Sequence, residues 1–236
     1  MKMNQDKIRK NIVKLAKEAR DASRLLSMAS TSDKNLALEK MAEALKSNLN
    51  YLIEENKKDL KDAEKKNYSK ALMARLTLTE KVIKEMAQCL LETAKLTDPA
   101  GEVLKVSQRP NGLIIKKIRV PIGVIGIIYE SRPNVTSDCA GLCLKSGNAV
   151  ILKGGREAIY SNRAIFSVLK KALQSTRISA EVIQLVDSID RQAVHILLKQ
   201  DSVGTGFLGN TQRPDDLGER GVKFDVGEVE AIRLRF

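Results

Sequence analysis

Lys153, Gly154, Gly155 and Arg156 are the most chemically pointed run in this sequence of 236 residues. Two cations flank two glycines, directly after the apolar residues 149–152. Glycine lets a backbone approach a ligand closely, and a helix starting near Arg156 would add the positive end of its dipole. That combination suits a phosphate or a ribose-phosphate. It is neither Gly-x-Gly-x-x-Gly nor a Walker loop, so by composition it is also compatible with a plain turn. Asn134 is the second group of interest. Its spacing favours the cap of a helix over 135–145, a position where Asn serves well. The other use of such an amide is to donate to a developing oxyanion.

The sequence has three cysteines, Cys89, Cys139 and Cys143. An odd, small number argues against a disulfide framework. Cys139 and Cys143 form a Cys-x-x-x-Cys pair, but His195 is the single histidine. Zinc usually recruits four nitrogen or sulfur ligands, so no metal site is expected. The pair sits among Ala140, Leu142 and Leu144, apolar surroundings that raise a thiol pKa. Small core residues on a helix are the expectation.

The elements that must position these groups follow from periodicity. Residues 4–95 are expected to be helical. Ile8, Ile12, Leu15, Ala19 and Ala22 lie near helical spacing, and Leu36, Met41, Leu45 and Leu49 mark a second helix. Thr31, Ser32 and Asp33 are its expected cap cluster. A charged third helix is expected over 52–66. Thr77-Leu-Thr-Glu80 has capping-box spacing before a helix through Ile83, Met86 and Leu90. Residues 97–101 break the pattern. Runs at 112–120 and 123–129 are rich in β-branched residues, and the second is apolar on both faces, as in a strand covered on both sides. A loop at 130–134, a helix over 135–145, a strand at 149–152 and a helix from about Arg156 to about Leu173 follow. A strand at 182–186 and a helix at 191–198 complete the alternation. Such alternation predicts an α/β fold with a parallel sheet and right-handed crossovers. Ligands of such sheets bind beyond the carboxyl ends of the strands, where 130–134 and 153–156 fall.

Bulk properties narrow the class. With 43% hydrophobic and 30% charged residues the sequence suits a globular protein. No apolar run is long enough for a membrane helix, and the polar first 20 residues contain no apolar signal core. No membrane partner is expected, and the cytoplasm is the default compartment. The net charge of +12 suits a phosphorylated ligand or nucleic acid, but aromatics are only 3% and Trp is absent, which disfavours base stacking. Lysines alternate with Glu and Asp, the pattern of solvated helix faces. No nucleic-acid partner is expected.

Three strings carry a family resemblance. They are Arg109-Pro-Asn-Gly-Leu, then Arg119-Val-Pro-Ile-Gly-Val-Ile-Gly-Ile-Ile-Tyr-Glu-Ser-Arg-Pro-Asn-Val-Thr136, then Gly141-Leu-Cys-Leu-Lys-Ser-Gly-Asn-Ala-Val-Ile-Leu-Lys-Gly-Gly-Arg-Glu-Ala158. Together they closely resemble the glutamate-5-semialdehyde dehydrogenase (gamma-glutamyl phosphate reductase) family of the aldehyde dehydrogenase superfamily, over about residues 5–200. The resemblance implies an aldehyde dehydrogenase-like fold, with a Rossmann-like parallel sheet and an N-terminal helical region. Residues 1–200 would be the NADP-binding domain (1–98 helical, 102–200 α/β) and 201–236 a divergent tail. It also implies a phosphorylating oxidoreductase of proline biosynthesis, which reduces glutamyl 5-phosphate with NADPH to glutamate 5-semialdehyde and phosphate. A cysteine thiolate attacks the acyl phosphate in that family. Asn134 matches the oxyanion donor, which displaces the cap reading. Lys153 matches the lysine at the adenine ribose. Gly154 and Gly155 join the cofactor loop, and Arg156 is the choice for the 2′-phosphate by charge and position.

The sequence departs from the family after about residue 201. The family would continue with an apolar strand and a glycine-rich loop, whereas this sequence reads Ser202-Val-Gly-Thr-Gly-Phe-Leu-Gly-Asn210, and no cysteine follows Cys143. The C-terminal catalytic domain and its nucleophile are therefore expected to be missing. The alternative is a non-catalytic fragment that binds nucleotide or pairs with another subunit; a homo-oligomer stays open.

Overall fold

The computed structural model describes residues 2–190, 192–200 and 203–208. Five helices come first: α1 (Lys2–Leu26), α2 (Thr31–Ser47), α3 (Leu49–Lys65), α4 (Lys70–Leu76) and α5 (Glu80–Lys95). The caps are local and polar. Ser30 Oγ accepts from the Asp33 N–H at 3.1 Å, and Thr79 Oγ1 accepts from the Val82 N–H at 3.2 Å. Both caps differ from expectation: α2 is capped one residue before the 31–33 cluster, and α5 two residues after Thr77. The short α4 was not expected; Ser69 caps it.

An antiparallel hairpin follows, β1 (Val103–Gln108) with β2 (Ile114–Ile118). It stands apart from the main sheet and is exposed almost throughout. The main α/β unit then runs β3 (Val124–Tyr129), α6 (Val135–Lys145), β4 (Ala149–Lys153), α7 (Ile159–Leu173), β5 (Ile183–Leu185), α8 (Gln192–Leu198) and β6 (Gly204–Leu208).

Its four strands are all parallel, in the order β5-β4-β3-β6. Every residue of β4 is buried, as the unbroken apolar run requires. The helices α6 and α7 pack together against β3, β4 and β5, while α1 and α8 pack together on the other face. Outside α6 and α7 lie α2, α3 and α5. One continuous core joins Ile12, Leu38, Leu45 and Leu90 of the N-terminal helices to Leu144, Ile151, Ile165 and Ile183 of the sheet unit.

The tail reading needs a correction. No strand was assigned beyond residue 201, yet 204–208 forms β6 beside β3. Gly204-Thr-Gly-Phe-Leu208 has too few apolar positions to show a period, and its strand state comes from pairing with β3. The remainder of the tail, 209–236, lies outside the described residues. With β6 in place the chain steps from β3 to β4 to β5, then crosses back to the far side of β3. The sheet therefore has a topological switch point at the end of β3, where open α/β sheets gather ligands. No described helix is long and apolar enough to cross a membrane.

Candidate active site

The loops 130–134 and 153–156 leave adjacent strands at the same end of the sheet, because Ile128 of β3 pairs with Lys153 of β4. Glu157 ties them together. Its Oε1 accepts from the Ser131 backbone N–H at 2.7 Å and from Ser131 Oγ at 3.1 Å. Ser131 has φ of 56°, a left-handed conformation uncommon for a residue with a Cβ. Sequence reasoning passed over Glu157. Only its place directly behind the Lys-Gly-Gly-Arg run could have drawn attention to it.

Lys153 ends β4 and is buried at 6% exposure. Its Nζ donates to Gly154 O at 2.7 Å. Burial pushes its pKa down, and the nearby carboxylates Glu157 and Asp187 pull the other way without cancelling it. Asp187 follows β5 and is paired with Arg163 at 2.6 Å. The ends of two adjacent strands, β4 and β5, thus contribute to the surroundings of one buried ammonium group. Arg156 is exposed.

The fold itself places a demand on the two glycines. A Cβ on Gly154 would overlap Asn162 Nδ2, and one on Gly155 would overlap the Glu157 carboxylate. They make room for this protein's own side chains. Asn162 also ends a buried relay. The Tyr129 hydroxyl meets Thr136 Oγ1 at 2.6 Å, and Thr136 Oγ1 donates to Asn162 Oδ1 at 3.0 Å. Among the described residues, Asn162 Nδ2 is the buried side-chain polar atom left without a partner.

The expected helix start at Arg156 is also corrected. Residues Arg156–Ala158 form a 3-10 turn, and α7 begins at Ile159. Its first N–H groups already have an anion. Asp59 of α3 accepts from the N–H groups of Tyr160 and Ser161 at 3.1 and 2.8 Å, and from Ser161 Oγ at 2.6 Å. The positive end of the α7 dipole is therefore neutralised by an N-terminal helix. Burial raises the Asp59 pKa, and those three hydrogen bonds offset only part of that. Any phosphate held here would depend on Lys153, Arg156 and loop N–H groups.

Asn134 stands at the start of α6, but its side chain makes no capping bond. Its Nδ2 donates instead to Asp138 Oδ2 at 3.1 Å. The cap favoured by spacing is thus absent. Cys139 and Cys143 are buried core residues on α6, and Cys89 is buried on α5. Burial pushes the thiol pKa of Cys89 to about 11 and of Cys143 to about 12, and that of Cys139 well up. None is a poised nucleophile.

Residues 3–219 match the model of the aldehyde dehydrogenase family. The gamma-glutamyl phosphate reductase of Thermoanaerobacter sp. (strain X514) is 53% identical over 184 residues, which is 78% of this chain and 44% of that protein. That of Carboxydothermus hydrogenoformans is 49% identical over 188 residues, 80% of this chain and 45% of the relative. Among solved structures, the gamma-glutamyl phosphate reductase of Thermotoga maritima superposes with a TM-score of 0.82 at 38% identity, covering 84% of this chain and 48% of the other. The chain spans under half the length of the curated relatives cited.

Proposed function

Because the chain belongs to the aldehyde dehydrogenase family, we propose that it is the cofactor-holding part of a gamma-glutamyl phosphate reductase. The reaction is reduction of L-glutamate 5-phosphate by NADPH to L-glutamate 5-semialdehyde and phosphate, a step of proline biosynthesis. The observation that carries this reading is the joining of the Asn134 loop to the Lys153 loop by Glu157, at the switch point of a parallel sheet.

The residues present fit a phosphorylated dinucleotide. Lys153 is a buried cation at a strand end whose Nζ has a backbone carbonyl as its partner, a bond it can exchange for ribose hydroxyls. The exposed charge of Arg156 suits the 2′-phosphate that separates NADPH from NADH. Bound there, NADPH would supply the hydride. Gly154 and Gly155, without side chains, would leave the loop backbone open to the cofactor. Asn134 would donate to the oxyanion that forms as the acyl carbon becomes tetrahedral.

Burial of Cys89, Cys139 and Cys143 favours a second reading beside the first: a nucleotide-binding or subunit-pairing unit without turnover. The exposed apolar side chains of the β1–β2 hairpin, among them Val106, Ile114 and Ile118, support self-association into a homo-oligomer. An assay in the oxidative direction separates the readings. Glutamate 5-semialdehyde, phosphate and NADP are supplied, and absorbance of the reduced cofactor is followed. Growth of that signal supports the reductase; cofactor binding without it supports the second reading.

A further inference from the structure

Asn134 commits one amide hydrogen within its own helix. Nδ2 donates to Asp138 Oδ2 at 3.1 Å, four residues on. This bond does no capping work, since the Asn134 backbone is already helical, with φ −58° and ψ −30°. A carboxylate offers acceptors only. It therefore accepts Nδ2, rejects the amide oxygen, and fixes which way round the Asn134 amide stands. Its charge also polarises the amide, so the second N–H becomes a stronger donor. Ser137 Oγ donates to the Asn134 backbone carbonyl at 2.8 Å and so braces the start of the helix.

We propose that Asp138 is a positioning residue, whose carboxylate holds the Asn134 amide in the orientation that presents Nδ2 to a substrate oxyanion at the end of β3. This rests on the oxyanion role given to Asn134 above. Burial pushes the Asp138 carboxyl up to about 6, against the hydrogen bonds from Asn134, Cys89 and Ser137. Modest acidification then turns Asp138 into a donor. A protonated Asp138 pairs with Asn134 Oδ1, and the amide turns over.

Among the described residues, few titratable groups face Asp138. They are Cys89 on α5, with Glu92 acting on that thiol, and Cys139 beside it on α6. Both thiols stay neutral because burial raises them. Lys145 is at the far end of α6, bound to Asn35 of α2 and to Ala94 O.

The test is a titration of the full chain, 15N-labelled, from about pH 8 to about pH 5. The side-chain amide pair of Asn134 is assigned by its loss in Asn134→Ala. The pair is expected to shift with a midpoint near 6, and Asp138→Asn is expected to abolish the shift. A reciprocal measurement covers the case in which Asp138→Asn does not fold. The Asp138 carboxyl 13C signal should titrate at a higher pH in Asn134→Ala, because the lost hydrogen bond favoured the charged form. An Asn134 pair that stays still across this range overturns the proposal, as does one that titrates unchanged in Asp138→Asn or a carboxyl midpoint indifferent to Asn134→Ala. Neither readout needs turnover. Absence of reductase activity would sink the reaction proposed above and leave this test intact.

Discussion

The Glu157 carboxylate accepts two hydrogen bonds from Ser131, at 2.7 Å from the backbone and 3.1 Å from the hydroxyl. These are charge-assisted bonds across two loops, and they hold Ser131 in its left-handed conformation. Glu157→Ala should release the 130–134 loop and speed its amide hydrogen exchange roughly tenfold. Ser131→Gly in that background should restore part of the protection, because the strain of about 1 kcal/mol disappears with the Cβ. Unchanged exchange in Glu157→Ala would show that the clasp does not order the loop.

Asp59 secures the cofactor-side helix from the N-terminal layer. Asp59→Ala removes the three hydrogen bonds to Tyr160 and Ser161 and leaves the start of α7 uncapped. A loss of about 2 kcal/mol is expected, seen as a fall of about 5 °C in the thermal midpoint. A midpoint within about 1 °C of the parent would mean that water replaces the carboxylate at little cost.

Lys34 is buried at 1% exposure and pairs with Asp98 at 2.7 Å. Asp98→Ala would strand that charge, at a cost of about 3 kcal/mol by chemical denaturation. Adding Lys34→Met should recover most of the loss, since the uncompensated charge is then gone. If the double variant is no more stable than Asp98→Ala, the pair is not the source of the effect.

The two carboxylates give stability opposite pH slopes. Burial raises Asp98, but bonds from Lys34, the Ala100 N–H and Thr31 outweigh it and hold the carboxyl below 3.8. A depressed folded pKa adds stability above the unfolded value, and that stability is lost as pH falls through the folded one. Asp138 lies the other way, at about 6 against an ordinary 3.8. The folded state binds its proton more tightly, so stability should rise as pH falls from about 6 to about 4, by up to about 3 kcal/mol. Asp138→Asn should flatten the slope in that window only. An unchanged slope would contradict the raised carboxyl.

Much of this arrangement is visible in the sequence, because it follows from local patterns. The unbroken apolar run of β4 announces a strand covered on both faces. The loops after β3 and β4 fall where expected, with Asn134 and Lys153 on them. What escaped depends on partners distant in the chain. Asp59 caps a helix about a hundred residues away, a relation with no local signature. The strand state of β6 comes from pairing with β3, since Gly204 and Gly206 lower its own propensity. By type and spacing alone Asn134 reads as a helix cap, while in the fold its amide turns to Asp138.

Thiol chemistry offers another check. With Cys89 at about 11, Cys143 at about 12 and Cys139 raised well above 9.0, almost no thiolate exists near neutrality. Alkylation of the native chain by iodoacetamide at about pH 8 should be at least ~100-fold slower than of the unfolded chain. Rapid modification of any one of them would reopen the question of a nucleophile.

The central claim is that the unit around Lys153 holds NADPH, and titration calorimetry of the purified chain tests it directly. NADPH should bind with a dissociation constant in the micromolar range, about −8 kcal/mol. NADH should bind roughly tenfold more weakly, Arg156→Ala should remove that preference, and Lys153→Met should weaken both cofactors. No heat of binding for either cofactor, or equal binding by the parent chain and Lys153→Met, would contradict it.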